Sequence, residues 1–312
     1  MARGRFGALN APTDRSSNVR RIALVSPGHL GAELGAQLVA RGFQVVSPLH
    51  GRSERTRALA AEAGIIDGGS LAAAIDGAPV VLSLVPPAEA MAVARDTASA
   101  LGTSGSTPLY VDANSVSPHS IAVIESIITA TGARFVDAAI IAPTPRTIAT
   151  TRIYASGPAL AEFVDLASDA GLVVQPLGSA SGGASALKMA YSCLTKGFPA
   201  LAVGSLVVAE SAGLLDEFIA ELEFSQPDLL GRIPAAVSRL PRASARWVGE
   251  ADEIAQTFGD SGLPAGVFEG VADIYRIAAA SDAGATGQGA DDRAAIDQVY
   301  DVVRALTAEL SG

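Results

Sequence analysis

One segment of the sequence places a lysine inside an apolar run that follows a glycine pair: residues 182–192 read GGASALKMAYS. Near 100° per residue, four polar side chains share one face of the predicted helix: Lys188, Tyr191, Ser192 and Thr195. Burial removes water from an amine and lowers its pKa toward neutrality, which suits a general acid/base. The alternative is a lysine whose stem packs on apolar surface while its ammonium reaches solvent. The stripe alone leaves both interpretations open.

A second segment has the order of elements that binds a dinucleotide. The β-branched run 21–25 is followed by SPGHLG at 26–31 and by a helix predicted to end near Arg41. In such a unit Gly28 leaves room for a pyrophosphate, Gly31 allows close packing of helix on strand, and the helix start offers N–H groups. Ser26 stands at the first glycine of G-x-G-x-x-G, so an ordinary strand–helix turn is the alternative. The predicted cofactor contacts here are Ser26, Gly28, His29, Leu30 and Gly31.

The loop after the second predicted strand bears on the choice of cofactor. NAD-selective sites usually place Asp or Glu about 20 residues beyond the glycine turn, and Gly51 stands near that place. Arg52, Ser53 and Arg55 instead offer two cations and a hydroxyl, which suit a 2′-phosphate. The sequence therefore favours NADP and leaves NAD possible. The alternative is a solvated loop in which Ser53 caps a helix over 54–63.

Strand and helix patterns alternate up to about residue 176, which predicts a doubly wound parallel α/β sheet. A short strand is expected over 134–136, ending in Asp137, with an irregular turn at 140–145. After Gly178 only helical patterns follow. The predicted organisation is a loose tail over 1–19, an NADP-binding Rossmann domain over 20–180 and an all-helical domain over 181–312.

The all-helical half consists of long apolar, alanine-rich periods. The helices are expected over 184–214, 216–223, 227–239, 243–259, 264–280 and 290–310. Pro199 should kink the first of them or shift its register. The loop over 283–289 is expected to be exposed. Long apolar helices are hard to bury in one small chain, so a homodimer that buries 184–214 and 243–280 is predicted.

Composition excludes several classes of protein. A net charge of −10 and a pI of about 4.8 argue against binding to nucleic acid or to an anionic membrane surface. The single cysteine, Cys193, rules out an intrachain disulfide framework, and three scattered histidines give no metal-ligand spacing. Charged residues interrupt the long apolar stretches, and the first 19 residues lack the apolar core of a signal peptide. A cytoplasmic protein without a metal is expected.

The order of these motifs resembles the β-hydroxyacid dehydrogenases, which share a 6-phosphogluconate dehydrogenase-like cofactor domain and have the imine reductases as relatives. The resemblance covers residues from about 21 to 310. Four segments carry it: the glycine turn at 26–31, the strand end LSLVP at 82–86, the segment DANSVSP at 112–118, and residues 182–192. The third is similar to the family's Asp-Gly-Ser-Thr-x-x-Pro substrate motif. Four motifs in the correct order indicate the superfamily without indicating a substrate.

The resemblance implies roles for individual residues. Lys188 matches the family lysine that exchanges a proton with the substrate hydroxyl. Ser192 stands where the family usually has an asparagine on the reacting oxygen, and its neighbour Tyr191 could share that role. Asn114 and Ser115 match residues that hold the substrate's carboxylate. The remaining implied contacts are Ser117 with the substrate and Leu84, Val85 and Pro86 with the cofactor.

Departures from the family pattern limit what the resemblance implies about the substrate. Residues 140–143 (IIAP) replace a glycine-bearing substrate loop, which predicts a more apolar pocket. The leading prediction is an NADP-dependent oxidoreductase that transfers hydride between the cofactor and a small hydroxy-bearing substrate, such as a 3-hydroxy acid or related alcohol. An imine reductase on the same scaffold is a second possibility. A non-catalytic NADP(H)-binding protein is a third, although the polar stripe around Lys188 would then have no purpose.

Overall fold

The computed structural model describes residues 21–141, 151–281 and 292–311. Eight strands form one sheet in this part of the chain: β1 (Arg21–Val25), β2 (Gln44–Ser47), β3 (Ile66–Asp67), β4 (Val80–Ser83), β5 (Leu109–Asp112), β6 (Arg134–Ile141), β7 (Arg152–Ser156) and β8 (Val174–Pro176). Their order across the sheet is β3-β2-β1-β4-β5-β6-β7-β8. The predicted tail over 1–19 and the predicted loop over 283–289 lie outside the described residues.

All neighbouring strands but one pair are parallel, so the expected doubly wound sheet is confirmed with one antiparallel step. β6 and β7 run antiparallel, with Ile140 opposite Ile153 and Ile141 opposite Arg152. The expectation of a short strand before an irregular turn at 140 is therefore wrong, because β6 continues to Ile141. The β-branched residues at 140–141 satisfy their backbone groups against β7. Positions 142–145 of the predicted turn lie outside the described ranges.

Helices cover both faces of the sheet: α1 (His29–Ala40), α2 (Glu54–Glu62), α3 (Leu71–Ile75), α4 (Pro87–Ser104), α5 (Pro118–Thr129) and α6 (Leu160–Asp169). Serine caps begin three of them, since Ser53, Ser70 and Ser117 each accept a hydrogen bond from the N–H three residues on. One apolar core contains Leu24 and Leu82, and the core on the opposite face contains Tyr110 and Phe135. The central strands are buried on both faces, as parallel strands are.

The rest of the described chain is helical: α7 (Gly183–Ser211), α8 (Leu215–Ser225), α9 (Pro227–Leu230), α10 (Ile233–Val237), α11 (Leu240–Asp260), α12 (Gly266–Ala280) and α13 (Asp292–Ser311). The single helix expected over 227–239 is two short ones, with Gly231 after the first and Pro234 in the first turn of the second. α7 continues through Pro199 as one helix. Trp247 and Tyr275 pack against each other in a shared core, with ring centroids 5.3 Å apart.

α7 is the one described helix that is long and apolar enough to cross a membrane by length and composition. The core helix of a soluble protein passes the same test, and α7 packs against α10, α11, α12 and α13. It also contacts β6 and β7, so it joins the helical part to the sheet. We therefore regard α7 as the central helix of this core.

Candidate cofactor and active site

The turn between β1 and α1 has the strained backbone of a glycine fingerprint. Ser26 is the one non-glycine residue with positive φ in the described ranges, at 68°. Its carbonyl accepts the N–H of Gly28 at 2.9 Å. A Cβ added at Gly31 would lie 2.8 Å from that same carbonyl oxygen. Ser26 thus adopts the conformation that the missing glycine would favour, and Gly31 is required by close approach.

The start of α1 is open on the side where a ligand would approach. Gly28 is the N-cap of α1, has no side chain to cap the first N–H groups, and is exposed. A Cβ added there would meet no atom of the described residues within 4 Å. His29 is also exposed, whereas Leu30 packs partly against the sheet core. Unpaired N–H groups, the positive end of the helix dipole and free space fit a pyrophosphate.

The β2–α2 loop and the first turn of α2 bring two arginines toward this turn. The Arg55 guanidinium donates to His29 Nε2 across 2.7 Å, which links α2 to the first residue of α1. Arg52 Nη1 lies 3.6 Å from Glu89 Oε2, at the start of α4. Ser53 Oγ accepts the Thr56 N–H at 3.2 Å, so Ser53 is the N-cap of α2. The capping interpretation of Ser53 is confirmed, and its cofactor contact stays a prediction.

Asn114 ties the end of β5 to the end of β4. Its side-chain oxygen accepts the Val85 N–H at 2.7 Å, and its Nδ2 donates to Ser83 Oγ at 3.1 Å. The Asn114 residue is 2% exposed. The Leu84 N–H donates to the Val25 carbonyl at 3.3 Å. Asn114 therefore fixes the 84–86 segment, of which Val85 is buried and Pro86 is exposed as the N-cap of α4.

Asp112 is fully buried at the end of β5. One carboxylate oxygen accepts the Asn114 N–H at 3.0 Å, and the other has no hydrogen-bond partner in the described part of the chain. Desolvation by burial raises the pKa of Asp112 to about 7, although the hydrogen bond from the Asn114 backbone opposes that rise. The charges of Asp137 and Glu253 add to it.

Ser115 and Ser117 differ in their access to a substrate. Ser115 is half-buried, whereas Ser117 is fully buried as the N-cap of α5. The Ser117 N–H donates to Glu253 Oε2 at 2.7 Å, and Ser120 Oγ donates to the same oxygen at 2.9 Å. Glu253 belongs to α11, and the sequence analysis missed it. No spacing rule could have found a contact between residues 136 positions apart.

Lys188 lies at the edge of the sheet where β6 ends. Its Nζ donates to the Ile140 carbonyl at 2.8 Å, and the side chain is half-buried. The residues predicted to share its stripe diverge, because Ser192 is 2% exposed and Tyr191 is 44% exposed. The catalytic roles of Lys188, Tyr191 and Ser192 stay predictions. The structure brings Lys188 to the same edge as the glycine turn and Asn114, since β1, β4, β5 and β6 run parallel.

The sequence has two lysines in 312 residues, and both lie on α7. Lys196 Nζ is 3.1 Å from Glu250 Oε2 and 4.7 Å from the Trp247 ring centroid. The Lys196 carbonyl accepts the Tyr275 hydroxyl. Lys196 is thus paired within the helical core, and Lys188 is the lysine at the sheet edge.

These groups meet at the carboxyl ends of β1, β4, β5 and β6, where open α/β sheets bind ligands. The open helix start, the glycine turn and the nearby arginines together fit a nicotinamide dinucleotide. No cluster of three or more His, Cys, Asp or Glu residues that could hold a metal ion occurs in the described chain.

Two family models match the chain. The model "NAD binding domain of 6-phosphogluconate dehydrogenase" matches residues 21–161, and "Domain of unknown function (DUF1932)" matches residues 209–277. An uncharacterised 28.5 kDa protein of Methanothermus fervidus is 30% identical over 203 residues, which are 65% of this chain and 76% of that protein. The first model covers the glycine turn, Arg52, Arg55 and Asn114.

Solved structures show the same architecture. A conserved hypothetical protein from Sinorhizobium meliloti is 26% identical with a TM-score of 0.63, over 93% of this chain and 97% of that one. A conserved protein of unknown function, described as similar to 3-hydroxyacid dehydrogenases, is 29% identical with a TM-score of 0.59, over 83% and 98%.

Two more distant structures, each under 20% identical, share the fold alone. They are a 3-hydroxyisobutyrate dehydrogenase from Mycobacterium tuberculosis with L-serine (18%, TM-score 0.62, 94% and 100% covered) and an imine reductase from Myxococcus stipitatus with NADP+ (17%, TM-score 0.51, 83% and 92% covered). The chain belongs to the β-hydroxyacid dehydrogenase and 6-phosphogluconate dehydrogenase-like superfamily of NAD(P)-dependent oxidoreductases.

Proposed function

We propose that the protein is an NADP-dependent oxidoreductase acting on a small hydroxy-bearing substrate, with Lys188 as general acid/base. One observation carries the proposal: the Lys188 amine is tied to the Ile140 carbonyl at the sheet edge that also presents the glycine turn. A lysine there can give or take a proton beside a bound dinucleotide. The bound nicotinamide would supply or accept the hydride.

The other predicted site residues bind the cofactor and orient the substrate. The Gly28 turn and the start of α1 bind the pyrophosphate through backbone N–H groups. Asn114 holds the Val85 backbone, so the segment that faces the nicotinamide keeps one conformation. Ser115 is the half-buried hydroxyl of the substrate motif and orients the substrate. Ser192 and Tyr191 flank Lys188 along α7 and complete the predicted site.

The preference for NADP is supported by Arg52 in the β2–α2 loop and by Arg55 in the first turn of α2. Arg55 contacts His29 beside the proposed pyrophosphate site. Arg52 forms a long ion pair with Glu89, at 3.6 Å, which a stronger anion could replace. A 2′-phosphate brings a larger negative charge and accepts charge-assisted hydrogen bonds from both guanidinium groups.

Titration of the protein with NADPH and NADH, followed by nicotinamide fluorescence, tests this preference. Arg52→Ala should weaken NADPH binding by about tenfold or more and NADH binding little, because it removes a charged hydrogen-bond donor. Arg57→Ala is the matched control, since Arg57 is an exposed arginine of α2 and the net charge changes equally. Equal losses for the two cofactors would exclude Arg52 from the 2′-phosphate site.

The role of Lys188 is tested by turnover of 3-hydroxy acids, amino alcohols and imines with NADP(H). Lys188→Ala should abolish turnover and leave cofactor binding intact. Lys188→Arg keeps the positive charge but should also be inactive, because arginine does not release its proton. Full activity in Lys188→Ala would disprove the mechanism.

An imine reductase is the second candidate, and one observation favours it. The side chain of Asn114, expected to hold a substrate carboxylate, and the N–H of Ser117, a residue expected to contact the substrate, are both engaged within the protein. Glu253 also adds a negative charge beside Ser117. This arrangement supports a substrate without a carboxylate, which includes imines. Reduction of cyclic imines without oxidation of any hydroxy acid would decide for this candidate.

We also propose a homodimer formed through the helical part. Four apolar residues of α7 recur at seven-residue spacing and are 37–77% exposed: Leu187, Leu194, Leu201 and Val208. A stripe of that period lies on one side of a helix and suits packing against another helix. An uncharged stripe is complementary to itself, as a twofold interface requires. For the compartment we propose the cytoplasm, where a lone cysteine stays reduced.

A further inference from the structure

We propose that Asp137 is the positioning residue for Lys188: its buried carboxylate fixes the first turn of α7 against β6 and thereby sets the place of the Lys188 amine. The catalytic meaning of that placement rests on the proposed function. The placement itself rests on geometry and is tested separately.

The carboxylate of Asp137 accepts five hydrogen bonds. Oδ2 accepts the N–H groups of Gly182, Ala184 and Ser185 at 3.0, 3.0 and 3.1 Å, and Ser156 Oγ at 2.9 Å. Oδ1 accepts Ser185 Oγ at 2.7 Å. Asp137 is fully buried, and so is Ser156. A buried carboxylate is costly unless hydrogen bonds satisfy it, and these five bonds satisfy Asp137.

The start of α7 needs such a partner. The first N–H groups of a helix have no acceptor within the helix, and a side chain of the N-cap residue usually provides one. Here the N-cap is Gly182, which has φ of 94° and no side chain. Asp137 replaces the missing cap from 45 residues away, and its charge lies at the positive end of the helix dipole.

The same strand holds α7 at a second point. Asp137 and Ile140 are three residues apart on β6, and Ser185 and Lys188 are three residues apart on α7. Asp137 holds Ser185, and the Ile140 carbonyl accepts Lys188 Nζ at 2.8 Å. Two links on adjacent turns fix both the rotation of the helix and its height along the strand. β6 is itself fixed, because β5 and β7 pair with it on both sides.

A purely structural cap would stabilise the protein without affecting Lys188, so the test must observe Lys188 itself. The two lysines make this simple, because incorporation of [13Cε,15Nζ]-lysine gives two side-chain NMR signals per chain. Lys188→Arg assigns them. Lys196 serves as the internal reference, since Glu250 and Trp247 hold it independently of Asp137.

In Asp137→Ala, two hydroxyls and the N–H groups of Gly182 and Ser185 lose their acceptor, while the Ala184 N–H keeps only Ser156 Oγ, at 3.0 Å. We expect the Lys188 signal to move to the position of free lysine while the Lys196 signal stays. Asp137→Asn is the second variant, because its amide oxygen can accept the bonds of Oδ2 and its Nδ2 can donate to Ser185 Oγ. It should keep the Lys188 signal near that of the wild type, and it covers the case in which Asp137→Ala does not fold.

Ser70→Ala is the matched control, since it removes the serine cap of α3, far from α7 in sequence. It should lower the melting temperature and leave both lysine signals unchanged. The proposal is overturned if folded Asp137→Ala keeps the wild-type Lys188 signal, or if Asp137→Asn alone shifts it to that of free lysine. A shift in Asp137→Ala together with full activity in Lys188→Ala would retain the positioning role and reject the proposed catalysis.

Discussion

At the scale of single residues, Ser26 shows what a degenerate fingerprint costs. Its φ of 68° lies in the left-handed region, which disfavours any residue with a Cβ by about 1 kcal/mol. Ser26→Gly should therefore raise the free energy of unfolding by about 0.5–1 kcal/mol in urea denaturation. Ser26→Ala keeps the Cβ and loses the hydroxyl, so it should give no such gain. If both variants raised the free energy of unfolding, the cause would be loss of the Ser26 hydroxyl and not relief of backbone strain.

The buried carboxyl of Asp112 predicts how the stability of the fold depends on pH. Because burial raises its pKa from an ordinary value near 4 to about 7, the folded protein holds a proton between those pH values that the unfolded chain has released. Protonation then favours the folded state, so stability falls as pH rises through this window, by up to about 1.4 kcal/mol per pH unit from this group.

Urea denaturation at pH 5, 6 and 7.5 measures that slope. Asp112→Asn removes the titrating group and should flatten the dependence over this range. Parallel curves for the wild type and Asp112→Asn would show that the Asp112 carboxyl does not titrate in this window.

The sequence points to candidate site residues where the pattern is local, and it gives no sign of those whose contacts are distant along the chain. Lys188, Asn114 and the glycine turn occur in motifs of fixed spacing, so their types alone pointed to their places. Glu253 and Asp137 reach their partners across 136 and 45 residues. Their contacts depend on how helices dock on the sheet, and no pattern in one sequence encodes that.

At the scale of elements, alanine substitutions of two glycines in the β1–α1 turn should distinguish the packing of α1 from the binding of the cofactor. Gly31→Ala places a Cβ 2.8 Å from the Ser26 carbonyl, so α1 must move and stability should fall by about 1–3 kcal/mol. Gly28 has an ordinary φ of −62°, and the Cβ of Gly28→Ala meets no atom within 4 Å in the ranges that the structure describes, so stability should change little.

Both variants should bind NADPH more weakly, for different reasons. In Gly28→Ala the added methyl would occupy the space that we propose for the pyrophosphate, whereas in Gly31→Ala the helix start would be displaced. Thermal melting and the fluorescence titration together distinguish the two. Wild-type NADPH affinity in Gly28→Ala would mean that the cofactor does not approach this turn.

Element order was predictable because hydrophobic period and turn residues are local signals. The helix expected over 54–63 forms over Glu54–Glu62, and its serine cap was anticipated. The β6–β7 pair was not, since an antiparallel step depends on which strand lies next to β6 in space. α7 is one helix, as expected for 184–214, and helices on several sides hold it at Pro199 in place of the missing hydrogen bond. The kink or register shift at Pro199 stays a prediction.

At the scale of the whole molecule, the apolar stripe of α7 predicts the assembly. Size-exclusion chromatography with light scattering should give twice the chain mass of 31.4 kDa. Leu194 and Leu201 are 77% and 66% exposed in the single chain, so the double variant Leu194→Glu, Leu201→Glu should remain folded and become monomeric. Two like charges at the centre of a twofold interface face their own copies and repel.

Val123→Glu is the control for added charge on an exposed apolar residue, since Val123 lies on α5 of the sheet part and is 37% exposed. It should leave the dimer intact. If the wild-type protein has the mass of one chain, the proposed dimer does not exist. If the Leu194→Glu, Leu201→Glu variant is still a dimer, the interface does not include this stripe. Leu187 begins the stripe one residue before Lys188, so loss of the dimer should also lower turnover if the second copy shields the site from water.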